Sequence, residues 1–367
     1  MKRIISIIIL FPILNACYLD ENIPPDQEVW DYELPANLGM NENVLLQLDA
    51  DIKQGLFGNT QGLTIIKNNK LIFENYYQGT GRNDFFAVGR LGTGLVTALF
   101  GEILNNRLAN QLDTPIYRFF PEYTAIFEAN PNKREITIEH LLNMTSGFVW
   151  DESLTTIDEA DNDLTKLLNS DNYVEFVLNQ PLEAPPGRRF SFNSGCNIIL
   201  LNLMDKLIGE SLQEYFEQRV FAPLGIEDYQ VDHTPSGLPN YSLGLSLKQL
   251  DLTKIGYLLL KNGEWEGLQI IDNRWMDQIL QSQKTISSQN DFGYNWWLFN
   301  NQSFIFTNYN IDDVNYLFGT RNQGIYFSQK RDLLVVINNG IDPGRSFSNT
   351  SFWAFTQVLD SLLPVEF

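Results

Sequence analysis

The side chains able to carry covalent or acid–base chemistry are few. Two histidines occur, His140 and His233, and two cysteines, Cys17 and Cys196. His140 shares a short predicted helix segment with Ser146, and a serine beside an imidazole is the pair that nucleophilic acyl transfer uses. The plainer reading, a hydrogen-bonded structural His140, is preferred. His233 lies among Pro, Gly and Thr and reads as a surface loop residue. Ser191 and Ser194 have no evident base beside them in sequence. There is no Gly-x-Ser-x-Gly elbow and no His/Cys cluster with metal spacing, so neither a metal nor a cofactor is expected. The 45 Asp and Glu residues offer many carboxylate pairs, none with diagnostic spacing.

Cys17 points to a different chemistry. Lys2 and Arg3 form a basic start, and Ile4 to Leu14 an apolar run interrupted by Ser6 and Pro12, ending Leu14-Asn15-Ala16-Cys17. That run is too short to span a bilayer comfortably and has the flanks of a signal peptide. A small residue before a cysteine, with leucine further back, resembles a bacterial lipobox. Residues 1–16 are then a removed signal peptide, and Cys17 is the lipidated first residue of the mature protein. The sulfur carries diacylglycerol as a thioether, and the acyl chains supply membrane affinity. Asp20 and Glu21 resemble a surface-export signal of some two-membrane bacteria, so the expected location is the cell envelope, at the outer membrane and its surface. Only Cys196 then remains, which precludes a disulfide framework and reads as a small buried hydrophobe. The formal net charge of -20 repels phosphate backbones and argues against nucleic acid as a partner.

The elements that must position these groups follow from periodicity. With 44% hydrophobic residues, the chain can bury one large core or two closely associated ones. Pro24, Pro25 and Pro35 among acids predict a flexible acidic tether over 17–45, leaving 46–367 as the folded body. Gly62–Lys67 and Leu71–Tyr77 flank Asn68-Asn69 and predict a hairpin. Helical spacing follows from Arg90 to about Asn106, then at Thr137–Asn143, Asp171–Asn179, Cys196–Gly209, Leu247–Asn262 and Asp272–Gln281. Strand patterns return at Tyr294–Leu298, Gly324–Ser328 and Leu333–Ile337, before a closing helix over Ser351–Leu363. Strands at about 60–77 and 290–340 around a helical stretch at about 90–285 predict an α+β fold, one sheet with an inserted helical region.

One segment is more specific. Ile136-Thr-Ile-Glu-His-Leu-Leu-Asn-Met-Thr-Ser-Gly-Phe-Val-Trp-Asp-Glu152 resembles the T-I-x-H-L-L-x-M-T-S-G signature of the serine β-lactamase and penicillin-binding-protein family. Leu112-Asp-Thr-Pro-Ile-Tyr-Arg-Phe-Phe-Pro-Glu122 resembles its D-D-P-V-x-x-Y-x-P-E loop. Pro186-Gly187 with Phe190 to Gly195 resembles the approach to its second catalytic motif. Phe221-Ala-Pro-Leu-Gly225 and Asn262-Gly-Glu-Trp-Glu-Gly267 follow in the family's order, so the likeness runs from Gly62 to Gly340. It implies an antiparallel sheet flanked by helices, a β-lactamase/transpeptidase-like α/β sandwich, with the active site in a groove beside a helical region. In that groove a Ser attacks a carbonyl, a Lys three residues later takes the proton, a Tyr assists, and a Gly-rich strand edge completes the oxyanion hole.

Position by position, the chemistry is missing. The nucleophile helix is expected from about Phe86, with Arg90 at the Ser position and Thr93 at the Lys position. A one-residue shift places Gly89 and Gly92, or Leu91 and Gly94, there instead. No Ser occurs from Thr80 through Asn130, no Lys from Leu71 through Asn132, and no Ser-x-x-Lys anywhere in the chain. The second motif reads Phe192-Asn193-Ser194, so the Tyr hydroxyl is gone. The strand edge reads Phe318-Gly-Thr-Arg-Asn-Gln-Gly324, which keeps Gly319 and Gln323 but puts Arg321 and Asn322 where small residues are usual. Arginine serves neither as nucleophile nor as base.

Three functional readings remain. The first is a lipid-anchored, catalytically inactive member of the fold with a binding or scaffold role. In it Arg90, Arg321 and Gln323 either hold a carboxylate ligand such as a peptide C-terminus, or Arg90 plugs the old pocket. The second is a rewired or weak serine hydrolase with an unidentified nucleophile. The third is a surface lipoprotein whose groove has no ligand.

Overall fold

The computed structural model describes residues 29–107, 112–152, 160–319, 321–340 and 349–362. The expected signal peptide and Cys17 lie outside the described residues. Asn41 accepts the Asn43 N–H at 3.1 Å and so starts α1 (Glu42–Lys53), whose Leu45, Leu48 and Ile52 form a buried stripe. β1 (Thr60–Lys67) and β2 (Lys70–Tyr76) follow, joined through Asn68 and Asn69 at φ of 50° and 62°. Two left-handed residues match the twist of a two-residue hairpin, and Asn tolerates that region better than most side chains.

β3 (Phe86–Ala87) leads directly into α2 (Leu91–Arg107). The helix therefore begins at Leu91, not near Phe86, because Phe86 and Ala87 pair with Leu247 and Ser246. The short helices α3 (Thr124–Ala129), α4 (Ile138–Leu142), α5 (Asp163–Leu168) and α6 (Tyr173–Asn179) precede the apolar α7 (Ser194–Ile208) and α8 (Leu212–Phe216). β4 (Gln230–Val231) and β5 (Leu245–Leu247) complete a small sheet in the order β3-β5-β4. Next come α9 (Gln249–Leu260), the ribbon of β6 (Glu264–Trp265) and β7 (Leu268–Gln269), and α10 (Asn273–Ile279). The chain then returns to the main sheet through β8 (Lys284–Thr285), β9 (Asn290–Gly293), β10 (Trp296–Phe299), α11 (Phe304–Tyr309), β11 (Val314–Phe318), β12 (Gly324–Ser328) and β13 (Leu333–Asn339). It closes on α12 (Thr350–Asp360).

The main sheet has eight antiparallel strands in the order β2-β1-β13-β12-β11-β10-β9-β8. Its central strands are buried on both faces, and alternation sorts their side chains. Leu334 and Val336 of β13, with Ile325 and Phe327 of β12, enter the core shared with α2, α7 and α9. Leu333, Val335, Ile337 and Tyr326 enter a second core under α1 and α12. The first and last strand groups thus form one sheet with the helical region between them in sequence.

The tether expected over 17–45 is too long. Trp30 is buried and meets Tyr257 and Trp265 edge-on at 5.6 and 6.1 Å, while Tyr32 and Met40 bridge to Leu71 and Leu362. An aromatic able to bury its ring holds this segment on the body despite the surrounding acids and prolines.

Candidate functional site

Helix α2 is buried over residues 91–101 because its glycines allow it to be. A Cβ at Gly92 would collide with the Tyr241 carbonyl, one at Gly94 with Leu317, and one at Gly101 with the Trp275 ring. Three separate neighbours therefore approach the helix at close range, and its N-terminus is held against β11 and the loop before β5. Arg90 stands immediately before it.

The Arg90 guanidinium lies between a carboxylate and an aromatic ring. Its Nη2 is 2.9 Å from Glu152 Oε1, and its central carbon is 5.0 Å from the Phe192 ring centroid. The Arg90 side chain is 13% exposed and that of Glu152 1%, so the pair is largely withdrawn from water. Glu152 is held from other directions as well. Trp150 Nε1 donates to its Oε2 at 2.8 Å, the Ser194 N–H to Oε2 at 3.2 Å, and the Ser194 hydroxyl to Oε1 at 2.9 Å. Ser194 opens α7, so the carboxylate also sits at the positive end of a long apolar helix. Phe192 stacks on Trp297 at 6.4 Å, which holds the ring under the guanidinium.

Every position expected to carry chemistry is thereby accounted for. Thr93 is buried, and its Oγ1 donates back to the Arg90 carbonyl at 2.7 Å. Ser194 is fully buried with its hydroxyl committed to Glu152. Ser191 donates its backbone N–H to the Met144 carbonyl. His140 and Ser146 do not pair. His140 Nδ1 accepts the Thr137 N–H at 3.2 Å and completes a capping box on α4, and burial lowers the imidazole pKa. Ser146 Oγ accepts from the Cys196 thiol at 3.4 Å, and burial pushes that thiol up to about 12. His233 is exposed on a bridge to Pro239.

Arg321 and Gln323 do not join Arg90 in one ligand site. Arg321 is exposed and lines a separate cleft of about 280 Å³ with Gly89, Tyr173 and His233. Gln323 is an internal brace: its Nε2 donates to the Ala87 carbonyl at 2.8 Å and its Oε1 accepts the Arg321 N–H at 2.8 Å. Gly319 is needed because a Cβ there would strike that carboxamide. The turn between β11 and β12 is thus tied to β3, just upstream of Arg90. Arg321 points away because Asn322, at φ 60°, reverses the chain between them.

Glu152 is the residue that sequence reasoning missed. The signal was weak: an acid closing the Ile136–Glu152 segment, two residues after a tryptophan. Its partners, Arg90 and Ser194, are brought to it only by folding.

Beside the ion pair opens a cleft of about 540 Å³, with Arg90 and Glu152 in its lining. Its walls are aromatic: Phe192, Trp297, Phe299, Tyr316, Phe352 and Trp353. Among the described residues no group of three or more His, Cys, Asp or Glu is placed to hold a metal ion.

Several known proteins resemble this chain. A protein of Escherichia coli O157:H7 named "Putative D-alanyl-D-alanine carboxypeptidase" is 21% identical over 210 residues, 52% of this chain. The match spans 48% of that relative, about half its length. The solved structure titled "Putative 6-aminohexanoate-dimer hydrolase from Bacillus anthracis" superposes with a TM-score of 0.71 at 19% identity, covering 91% of this chain and 87% of that one. A penicillin binding protein from Bacillus halodurans superposes with a TM-score of 0.61 at 18% identity, covering 85% and 98%. These likenesses carry the fold, an antiparallel sheet flanked by helices as in β-lactamases and transpeptidases. Residues 55–255, more than half of the chain, match the family model described as Beta-lactamase, and the chain belongs to that family of serine β-lactamase and penicillin-binding-protein relatives.

Proposed function

We propose that this protein is a catalytically inactive member of its family, anchored to the cell envelope through a lipid on Cys17, that uses its groove for binding. One observation carries the reading: the place where a nucleophile, its base and a tyrosine hydroxyl would meet is filled by the Arg90–Glu152 ion pair lying over Phe192. A guanidinium cannot attack a carbonyl, and Thr93 has no amine to take a proton. The hydrolase and carboxypeptidase activities in the names of the relatives need groups this chain lacks at those positions. Among the described residues Ser194 makes a hydroxyl–carboxylate contact with Glu152 at the site, and its full burial together with the Arg90 counter-charge argues against a nucleophile there.

The plugging role of Arg90 is favoured over capture of a carboxylate ligand, because Glu152 already supplies a carboxylate from within the chain. The test is labelling of the purified protein with fluorescent penicillin and a fluorophosphonate, alongside p-nitrophenyl ester turnover. The expected result is no covalent adduct and no turnover above a heat-treated control. An adduct mapped to a specific serine would overturn the proposal.

A further inference from the structure

We infer that the cleft beside the ion pair binds a neutral sugar chain, laid on its aromatic walls and hydrogen-bonded to the carboxamides that line it. This rests on the groove having a binding role. Charge argues against ionic ligands. An anion meets an arginine already neutralised by Glu152, on a chain of formal charge -20. A cation meets a carboxylate whose two oxygens are occupied by Trp150, Ser194 and Arg90. The ion pair is thus closed to ions, and Arg90 Nε, buried beside it, is out of a ligand's reach. What the lining still offers is neutral: carboxamides and flat ring faces.

The walls supply flat apolar faces. Among the described residues, the exposed large aromatic side chains are Phe304 at 36% and Trp353 at 51%. Both line this cleft, with ring centroids 6.1 Å apart. Single exposed apolar residues need no explanation, but paired aromatics at the mouth of an aromatic cleft mark a binding surface. Asn290 and Asn349 add carboxamides to the lining, each a donor and an acceptor. Sugar rings present C–H faces to aromatic rings and hydroxyls around their edge, which matches this alternation. A purely aliphatic ligand would make no use of these carboxamides, of which Asn290 Oδ1 already accepts the Tyr316 hydroxyl at 2.9 Å. A bilayer surface does not enter a concavity of about 540 Å³.

The experiment uses full-length protein in a detergent without a sugar headgroup. It is titrated with cello-, chito- and malto-hexaose, and with a D-alanine-ending pentapeptide, by tryptophan fluorescence and calorimetry. Binding of at least one neutral hexasaccharide is expected, weakened about tenfold or more by Trp353→Ala and by Phe304→Ala. Both side chains are solvent-facing, and equal melting temperatures verify that the variants fold. No saccharide binding up to about 10 mM overturns the inference, as does binding that both variants leave unchanged. Selective binding of the pentapeptide, or vesicle co-sedimentation lost in Trp353→Ala without any saccharide effect, overturns it too. Penicillin labelling of the same sample tests the non-catalytic reading separately. An adduct sinks that reading, whereas absent saccharide binding without an adduct sinks only this one.

Discussion

Removing Arg90 would leave the Glu152 carboxylate buried without its cation, and removing Glu152 would do the converse. A buried pair adds little net stability against well-packed apolar groups, yet breaking it from one side is costly. Arg90→Ala is therefore expected to lower unfolding free energy by about 3 kcal/mol in urea titration. Arg90→Met combined with Glu152→Gln should cost clearly less than the two single changes summed, with a coupling of about 1 kcal/mol or more. Strict additivity would mean that the pair is not the unit described. At this scale the sequence was partly legible. Arg90, Thr93 and Phe192 could be read as losses because a family motif fixes where their predecessors stand. Glu152 could not, since no local pattern says that an acid at 152 reaches residues 90 and 194. Arg321 looked like a partner of Arg90 for the opposite reason: a motif position gives sequence order but not the direction in which a turn aims a side chain.

Among elements, α2 shows where periodicity stops being informative. Its apolar residues sit all round the helix, so no single face identifies a neighbour. Helix propensity predicts that Gly101→Ala stabilises by about 1 kcal/mol. The Trp275 ring against Gly101, held by its Nε1 bond to the Thr97 carbonyl at 3.0 Å, predicts the reverse. We expect a loss of about 2 kcal/mol from overpacking, measured by thermal or urea unfolding. A stabilised Gly101→Ala protein would show that α2 and α10 are less tightly apposed than described. The hairpin at Asn68-Asn69 was readable because its turn chemistry is local. The small β3-β5-β4 sheet was not. Its two- and three-residue strands carry no period and exist only through pairing between Phe86–Ala87 and Leu245–Leu247. That pairing shifted the start of α2 to Leu91.

For the whole molecule, the proposed lipid anchor is tested at Cys17. If Cys17 carries the acyl chains, Cys17→Ala should move the protein from the membrane pellet to the soluble fraction on cell fractionation, with its fold unchanged. Retention in the pellet would count against lipidation. The sequence by itself determined the family, the Asn68-Asn69 hairpin and the absence of any Ser-x-x-Lys pair, because residue identity and local turn chemistry survive without contacts. Tertiary structure alone decided that Trp30 docks on the body, that Gln323 braces a turn while Arg321 faces another cleft, and that Glu152 neutralises Arg90. Each of these depends on distance between residues far apart in the chain, and burial turns that distance into energy.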